Sequence, residues 1–115
     1  MSPDDSVPKS KENTDSISLA MDRLWIRFRP EIMQRIAVIE SAVDAVDGNH
    51  CTGELRLEAY MAAHKLAGSL GTFGLPEGTE IARLLEQAFA PEQDSASAAA
   101  LPVLIKQLRF QVENR

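Results

Sequence analysis

The residue best suited to chemistry in this chain is His64, which lies four positions before Gly68. Imidazole titrates near neutral pH, and its neutral ring nitrogen can attack phosphorus and later release the phosphoryl group. Because residues four apart share one face of a helix, nothing larger than a hydrogen stands beside the ring on that face. This spacing predicts a nucleophile that a second macromolecule can approach closely.

A helical histidine is more often an ordinary surface or core residue, but three neighbouring features favour chemistry at His64. His64 lies off the apolar stripe of its predicted helix, so its ring is expected to reach solvent. Gly68 costs a helix interior about 1 kcal/mol relative to alanine, and no predicted bend requires it. Lys65 is adjacent and can attract an anionic group. The stripe itself consists of Ala59, Ala63, Leu66 and Leu70.

Periodic apolar residues predict the helices that must position His64, and no strands are expected. A short helix is expected over residues 16–29, with Trp25 and Phe28 as its anchors. Pro30 would break a helix interior but is favourable in a first turn, so a second helix is expected over residues 30–46. The apolar stripe of this second helix alternates spacings of four and three residues through Ile32, Ile36, Ile39, Val43 and Val46.

Three further helices are expected after the stop signal Asp47-Gly48-Asn49. They run from about Thr52 to Leu70, over residues 76–89 and over residues 101–112. Short connections make consecutive helices antiparallel neighbours. We therefore predict an all-α fold, an antiparallel up-and-down four-helix bundle with an additional short N-terminal helix.

This bundle predicts which residues of the following helix pass close to His64. The eight residues from His64 to Thr72 rise about 12 Å, and eight residues after Pro76 the returning helix reaches the same height. Arg83 and Glu86 lie there on one face. A Glu86 carboxylate that accepts from Nδ1–H would fix the tautomer and leave Nε2 free as the nucleophile. Alternatively, Glu86 pairs only with Arg83 or with solvent.

The composition and charge of the chain argue against several other classes of function. Residues 1–16 are polar and are expected to be a disordered tail or linker, and residues 17–115 form the bundle domain. The net charge of −5 argues against nucleic-acid binding, and no apolar run is long enough to span a membrane. With two histidines, the single Cys51 and no metal-ligand spacing, no metal site is expected. A cytoplasmic monomer without a signal peptide is the expected state.

Around His64 the sequence resembles the histidine phosphotransfer (HPt) domains of bacterial two-component phosphorelays. The family motif combines a histidine with an apolar residue, usually a lysine, and then a glycine and a small residue. Here the motif reads His64-Lys65-Leu66-Ala67-Gly68-Ser69. The following Gly71-Thr72-Phe73-Gly74-Leu75 is especially similar to the phosphotransfer domains of chemotaxis-type histidine kinases. The helical pattern extends the likeness over about residues 18–114.

The resemblance implies that His64 is phosphorylated on Nε2 and exchanges the group with an aspartate of a response-regulator receiver domain. It implies a carrier without ATP binding, autonomous kinase or hydrolase activity, or a cofactor, while Mg²⁺ belongs to the receiver. A sensor histidine kinase is the other implied partner. The position matching Glu86 resembles a carboxylate that orients the histidine. Gly68, Ser69 and Met61 are expected where the partner docks.

The sequence departs from the family at Ala67, where a lysine usually helps to neutralise the phosphoryl group. Lys65 or Arg83 is expected to substitute, although Lys65 points about 100° around the helix from His64. The missing lysine keeps a second hypothesis open, a degenerate HPt-like interaction module that docks a receiver or kinase without being phosphorylated. A purely structural helical bundle is the third hypothesis.

Overall fold

The structure, a computed structural model, describes the backbone of residues 6–91 and 95–115 and the side chains of residues 16–91 and 98–115. Over these ranges it contains helices and turns and no strand, which confirms the predicted all-α bundle class. The helices in chain order are α1 (Ser6–Asp47), α2 (Gly53–Leu70), α3 (Pro76–Phe89) and α4 (Leu101–Glu113). Two 3₁₀ segments, Gly71–Phe73 and Ser95–Ala100, precede α3 and α4.

Pro30 lies inside α1, so the predicted break between a short N-terminal helix and a second helix is wrong. A proline removes the hydrogen bond to the carbonyl four positions before it, here that of Ile26. Since Ile26 is 72% exposed, water can replace the missing N–H at that carbonyl. Pro30 nevertheless marks a boundary, because the chain divides into the compact units Met1–Pro30 and Glu31–Arg115.

The first unit departs from the sequence expectations in two further respects. α1 begins at Ser6, ahead of the expected start at residue 16, and residues 1–5 of the expected tail lie outside the described residues. Of the two predicted anchors, Trp25 is buried and Phe28 is 42% exposed. The assignment of residues 1–16 as a tail and residues 17–115 as the domain stays a prediction.

The core of the second unit is formed by one apolar stripe from each helix. In α3 the buried stripe runs through Ala82, Leu85 and Phe89, whereas Leu84 is 50% exposed. Each residue turns the helix by about 100°, so Leu84 cannot share the inward direction of Leu85. α1 buries Ile32, Ile36, Ile39 and Val43 of its predicted stripe, whereas Val46 is half-buried. α2 buries its whole predicted stripe of Ala59, Ala63, Leu66 and Leu70. In α4 the buried residues are Leu101, Ile105, Leu108 and Val112.

A glycine-dependent turn ends α2 and sends the chain back along it. Gly74 has φ of 77°, a left-handed conformation that costs glycine little. The N–H of Leu75 donates to the carbonyl of Leu70 at 3.1 Å, and the N–H of Gly74 donates to that of Gly71 at 3.2 Å. This pair of bonds is a Schellman motif, and Leu70 and Leu75, the positions that usually make its apolar contact, are both buried. Pro76 then opens α3.

The opposite ends of α2 and α3 are joined by Arg56. Its Nε donates to the carbonyl of Phe89 at 3.3 Å, and its Nη2 donates to those of Ala88 at 3.4 Å and Ala90 at 3.1 Å. The last carbonyls of a helix have no partner within the helix, so the guanidinium of Arg56 satisfies groups that α3 leaves open. The start of α2 thus lies against the end of α3, which makes the two helices antiparallel.

A bidentate salt bridge connects α4 to α1. Arg109 donates to both carboxylate oxygens of Glu40, at 2.7 and 2.8 Å, and also to Glu113 at 2.9 Å. The hydrogen bond from Arg109 holds the pKa of Glu40 below its ordinary value, against the opposing effect of burial. At the other side of α4, Gln111 donates to Glu77 of α3 at 3.1 Å. These contacts place α4 between α1 and α3.

Candidate functional site

His64 lies in the middle of α2, a helix whose start is well defined. The hydroxyl of Thr52 accepts from the N–H of Leu55 at 3.1 Å, and Glu54 places a negative charge in the first turn. Ala63 and Leu66 on either side of His64 are fully buried. The side chain of His64 is 70% exposed, so α2 holds a fixed backbone beneath a ring that solvent and other molecules can reach.

The imidazole of His64 is held by one carboxylate of the neighbouring helix. Nδ1 of His64 lies 2.6 Å from Oε2 of Glu86, whose side chain is only 21% exposed. A carboxylate oxygen accepts, so Nδ1 carries a hydrogen, and in the neutral ring the lone pair is then on Nε2. The contact fixes both the tautomer and the ring plane, and it leaves an unprotonated nitrogen available as a nucleophile.

A shallow depression of about 220 Å³ lies beside the ring, between α2 and α3. Its lining comprises His64, Ala67 and Gly68 from α2 and Arg83 and Glu86 from α3. Arg83 is exposed and forms no hydrogen bond or ion pair within the described part of the chain. The depression therefore combines a nucleophile, the carboxylate that orients it and a guanidinium that is bonded to neither.

A second depression of about 160 Å³ lies on the other side of His64. It is lined by Tyr60, Met61, His64 and Lys65. Met61 is 48% exposed, and Leu57, one turn before it, is 51% exposed. Residues 57, 61, 64 and 68 follow the spacing of a single helix face, so an apolar strip leads along α2 to the histidine and the glycine.

Gly68 presents an open surface, because a Cβ atom added there would have no neighbour within 4 Å. Ser69 differs from Gly68, since its hydroxyl donates to the carbonyl of Lys65 at 2.9 Å and the residue is half-buried. This bond back to the preceding turn occupies the Ser69 hydroxyl. Of the three expected docking residues, Gly68 and Met61 lie on the open face of α2, and Ser69 lies to its side.

The structure brings His64, Glu86 and Arg83 to one place and sets Lys65 against the other depression. Sequence reasoning missed Tyr60, although its position four residues before His64 puts it on a neighbouring part of the same face. It also missed Arg56, for which no local signal exists because its partners are backbone carbonyls about 30 residues later.

The described residues contain no group of three or more His, Cys, Asp or Glu side chains arranged to hold a metal ion. Within the same ranges, no helix has the length and apolar character needed to cross a membrane.

Comparison with known families matches the chain to the Hpt domain over residues 23–114. The match includes His64, all of the residues that line the two depressions and the complete set of helices α2 to α4. It covers well over half of the chain.

A curated protein, Protein RcaC of Microchaete diplosiphon, is 35% identical over 66 residues. This alignment covers 57% of the chain and 10% of RcaC, so the chain matches only a small part of that relative. No solved structure gives a significant match.

Proposed function

Because the chain belongs to the Hpt domain family, we propose that His64 is the residue that receives a phosphoryl group and passes it on. Membership makes the chain a phosphotransfer module of two-component signalling, and it confirms the resemblance identified from the motif around His64. Hpt domains interact with receiver domains and kinases in phosphorelays. The identity of the acceptor residue and the direction of transfer are our proposals.

The observation that carries the proposal is the contact between Nδ1 of His64 and Oε2 of Glu86 at 2.6 Å on a ring that is 70% exposed. A histidine that only packs in the core would have its ring buried. Here Nδ1 is bonded to Glu86, and Nε2 has no hydrogen-bond partner among the described residues. The second histidine, His50, lies in the turn after α1 and forms no such contact in the described part of the chain.

The proposed step uses only side chains of this chain and the phosphorylated aspartate of a receiver domain. The lone pair of Nε2 attacks the phosphorus of an aspartyl phosphate, the Nε2–P bond forms, and the P–O bond to the aspartate breaks. The bond's electron pair returns to the aspartate carboxylate, and the imidazole keeps its Nδ1 proton and becomes cationic. Glu86 stabilises this cation, since its carboxylate already accepts from Nδ1–H. The reverse step restores the neutral ring.

Positioning and charge neutralisation do most of the work in phosphoryl transfer. We therefore assign the remaining chemistry to the partner, including the Mg²⁺ that a receiver domain holds next to its aspartate. Gly68 and Met61 give that partner an accessible surface next to His64, because both are exposed on the open face of α2. We expect the exchange on a single chain in the cytoplasm.

Ala67 favours a second candidate function, an Hpt-like module that docks a receiver or kinase without accepting phosphate. The residue lines the depression beside His64 and contributes no charge there. Without sufficient neutralisation of the phosphoryl oxygens, the surface would bind its partner and the transfer would not proceed.

The test uses the chain with a phosphorylated receiver domain or a cognate histidine kinase and follows acid-labile phosphate on the chain. We expect label on the wild type and none on His64→Gln, which keeps a polar side chain of similar reach. His50→Gln is the matched control and is expected to label as the wild type does.

Two results would contradict the proposal in different ways. Binding of the partner without label on the wild type would support the docking module instead. Label that persists on His64→Gln would place the acceptor at another residue.

A further inference from the structure

Phosphorylation of His64 would add negative charge beside the depression that Glu86 and Arg83 line. A phosphoryl group on Nε2 brings about two negative charges, while the single positive charge of the phosphorylated ring is already paired with Glu86. Like charges at such short separations repel, so the phosphorylated state needs a nearby cation. The carboxylate of Glu86 cannot be moved away, because it holds the ring through Nδ1.

Two cations lie close to His64 in the sequence or the fold, and the structure distinguishes between them. Lys65 follows His64 directly but lines the depression formed with Tyr60 and Met61. Arg83 comes from α3 and lines the depression that also contains Glu86. Of the described residues that line this depression of about 220 Å³, Arg83 is the one with a permanent positive charge.

The guanidinium of Arg83 also has no hydrogen-bond or ion-pair partner among the described residues. Elsewhere in the described chain, Arg35 pairs with Glu31, Arg109 pairs with Glu40, and Arg56 donates to carbonyls of α3. Arg83 forms no such bond, although Glu86 lies one turn further along the same helix. Because Glu86 is engaged by His64, the five N–H donors of Arg83 remain for a ligand, and their planar arrangement suits phosphoryl oxygens.

We infer that Arg83 is the residue that neutralises the phosphoryl group on His64, an inference that rests on the proposed function. The positive charge then comes from the neighbouring helix α3 and not from α2, where Ala67 lines the same depression without a charge. Arg83 contacts the phosphoryl oxygens, and Glu86 contacts the ring.

The test uses phosphoramidate, a small donor that reaches His64 without protein docking. The lone pair of Nε2 attacks its phosphorus, the P–N bond of the donor breaks, and the protonated nitrogen leaves as ammonia. We expect Arg83→Ala to label about tenfold more slowly than the wild type, less than the roughly 10²–10³-fold loss of a buried donor because solvent screens this site. Lys106→Ala removes an exposed positive charge from α4 and is expected to label at the wild-type rate.

A rescue variant separates lost charge from lost structure. Ala67→Lys places an ammonium on the opposite wall of the same depression, so we expect Arg83→Ala with Ala67→Lys to regain most of the rate. A second readout is the ³¹P signal of the phosphorylated chain as pH is varied. Removal of Arg83 is expected to move the midpoint of this ³¹P titration to higher pH, because a nearby cation favours the dianionic form of the phosphoryl group.

The possible results distinguish the role of Arg83 from the proposed function of His64. Slow labelling of Arg83→Ala, rescue by Ala67→Lys and a shifted ³¹P midpoint support the role of Arg83. An unchanged rate and midpoint in Arg83→Ala overturn that role while leaving His64 as the acceptor. Absence of label on the wild type, with phosphoramidate and with protein donors, overturns the proposed function itself.

Discussion

Nδ1 of His64 lies 2.6 Å from a carboxylate oxygen of Glu86, although the two residues are 22 positions apart. The distance depends on two attachments between α2 and α3, one on each side of the contact. At one end the Schellman turn around Gly74 reverses the chain, and at the other Arg56 holds the last carbonyls of α3. The relative position of the two helices, and with it the orientation of the ring, is therefore set by groups that take no part in the chemistry.

Replacement of Glu86 by alanine should slow phosphorylation of His64 without preventing it. The ring would lose the acceptor that fixes its tautomer and stabilises its cationic form. We expect a roughly tenfold slower rate, below the about 10²–10⁴-fold effect of a positioned acid–base group because this ring is open to solvent. Initial rates of labelling measure the effect. Glu80→Ala removes an exposed carboxylate of the same helix as the control, and equal rates for the two variants would remove the orienting role of Glu86.

Side chains introduced at Gly68 should stabilise the fold and hinder the partner. A Cβ there meets nothing within 4 Å, so Gly68→Ala is expected to raise the unfolding free energy by up to about 1 kcal/mol. Gly68→Gln should label normally with phosphoramidate but slow transfer from a phosphorylated receiver. Gly53 also has open space and begins the same helix, which makes Gly53→Gln the control. Transfer from the receiver at the wild-type rate in Gly68→Gln would argue against docking at this face.

Arg56→Met should destabilise the bundle although Arg56 lies outside the proposed site. Methionine keeps much of the apolar stem and loses the bonds to the carbonyls of Ala88, Phe89 and Ala90. We expect a loss of about 1.5–3 kcal/mol in urea unfolding, the range for hydrogen bonds that involve a charged group. Arg35→Met breaks an exposed pair with Glu31 and should cost only about 0.3–0.5 kcal/mol. Similar losses in both variants would mean that the Arg56 bonds add little.

Glu40 should make the stability of the bundle depend on pH in the acid range. The hydrogen bond from Arg109 lowers the pKa of Glu40 from 4.5, so the carboxylate ionises more readily in the folded chain than in the unfolded chain. The resulting stabilisation is complete above the unfolded pKa and is lost as pH falls from 4.5 through the lower folded pKa. Urea unfolding at neutral pH and at about pH 3 should show a larger loss for the wild type than for Glu40→Gln. Glu58→Gln, at an exposed residue of α2, is the control and should keep the wild-type dependence. A Glu40→Gln variant with the wild-type pH dependence would rule out this contribution.

Much of the fold and of the proposed site was predictable because the signals are local. The stripes of α1, α2 and α4 follow helical spacing, and the pattern that excludes His64 from the α2 stripe also predicts its exposure. The return of α3 past His64 followed from the short glycine turn and from the helical rise. That geometry was sufficient to bring Glu86 to the correct height.

The sequence by itself determined helices α2 to α4, the exposed histidine and the family motif, since each depends on residues within a few turns of one another. Tertiary structure alone decided that α1 continues through Pro30, that Leu84 faces outward, and that Arg83 and not Lys65 shares the depression with Glu86. The physical reason is rotation about the helix axis. A difference of one residue turns a side chain by about 100°, and the packing of the whole core sets which direction faces a neighbouring helix.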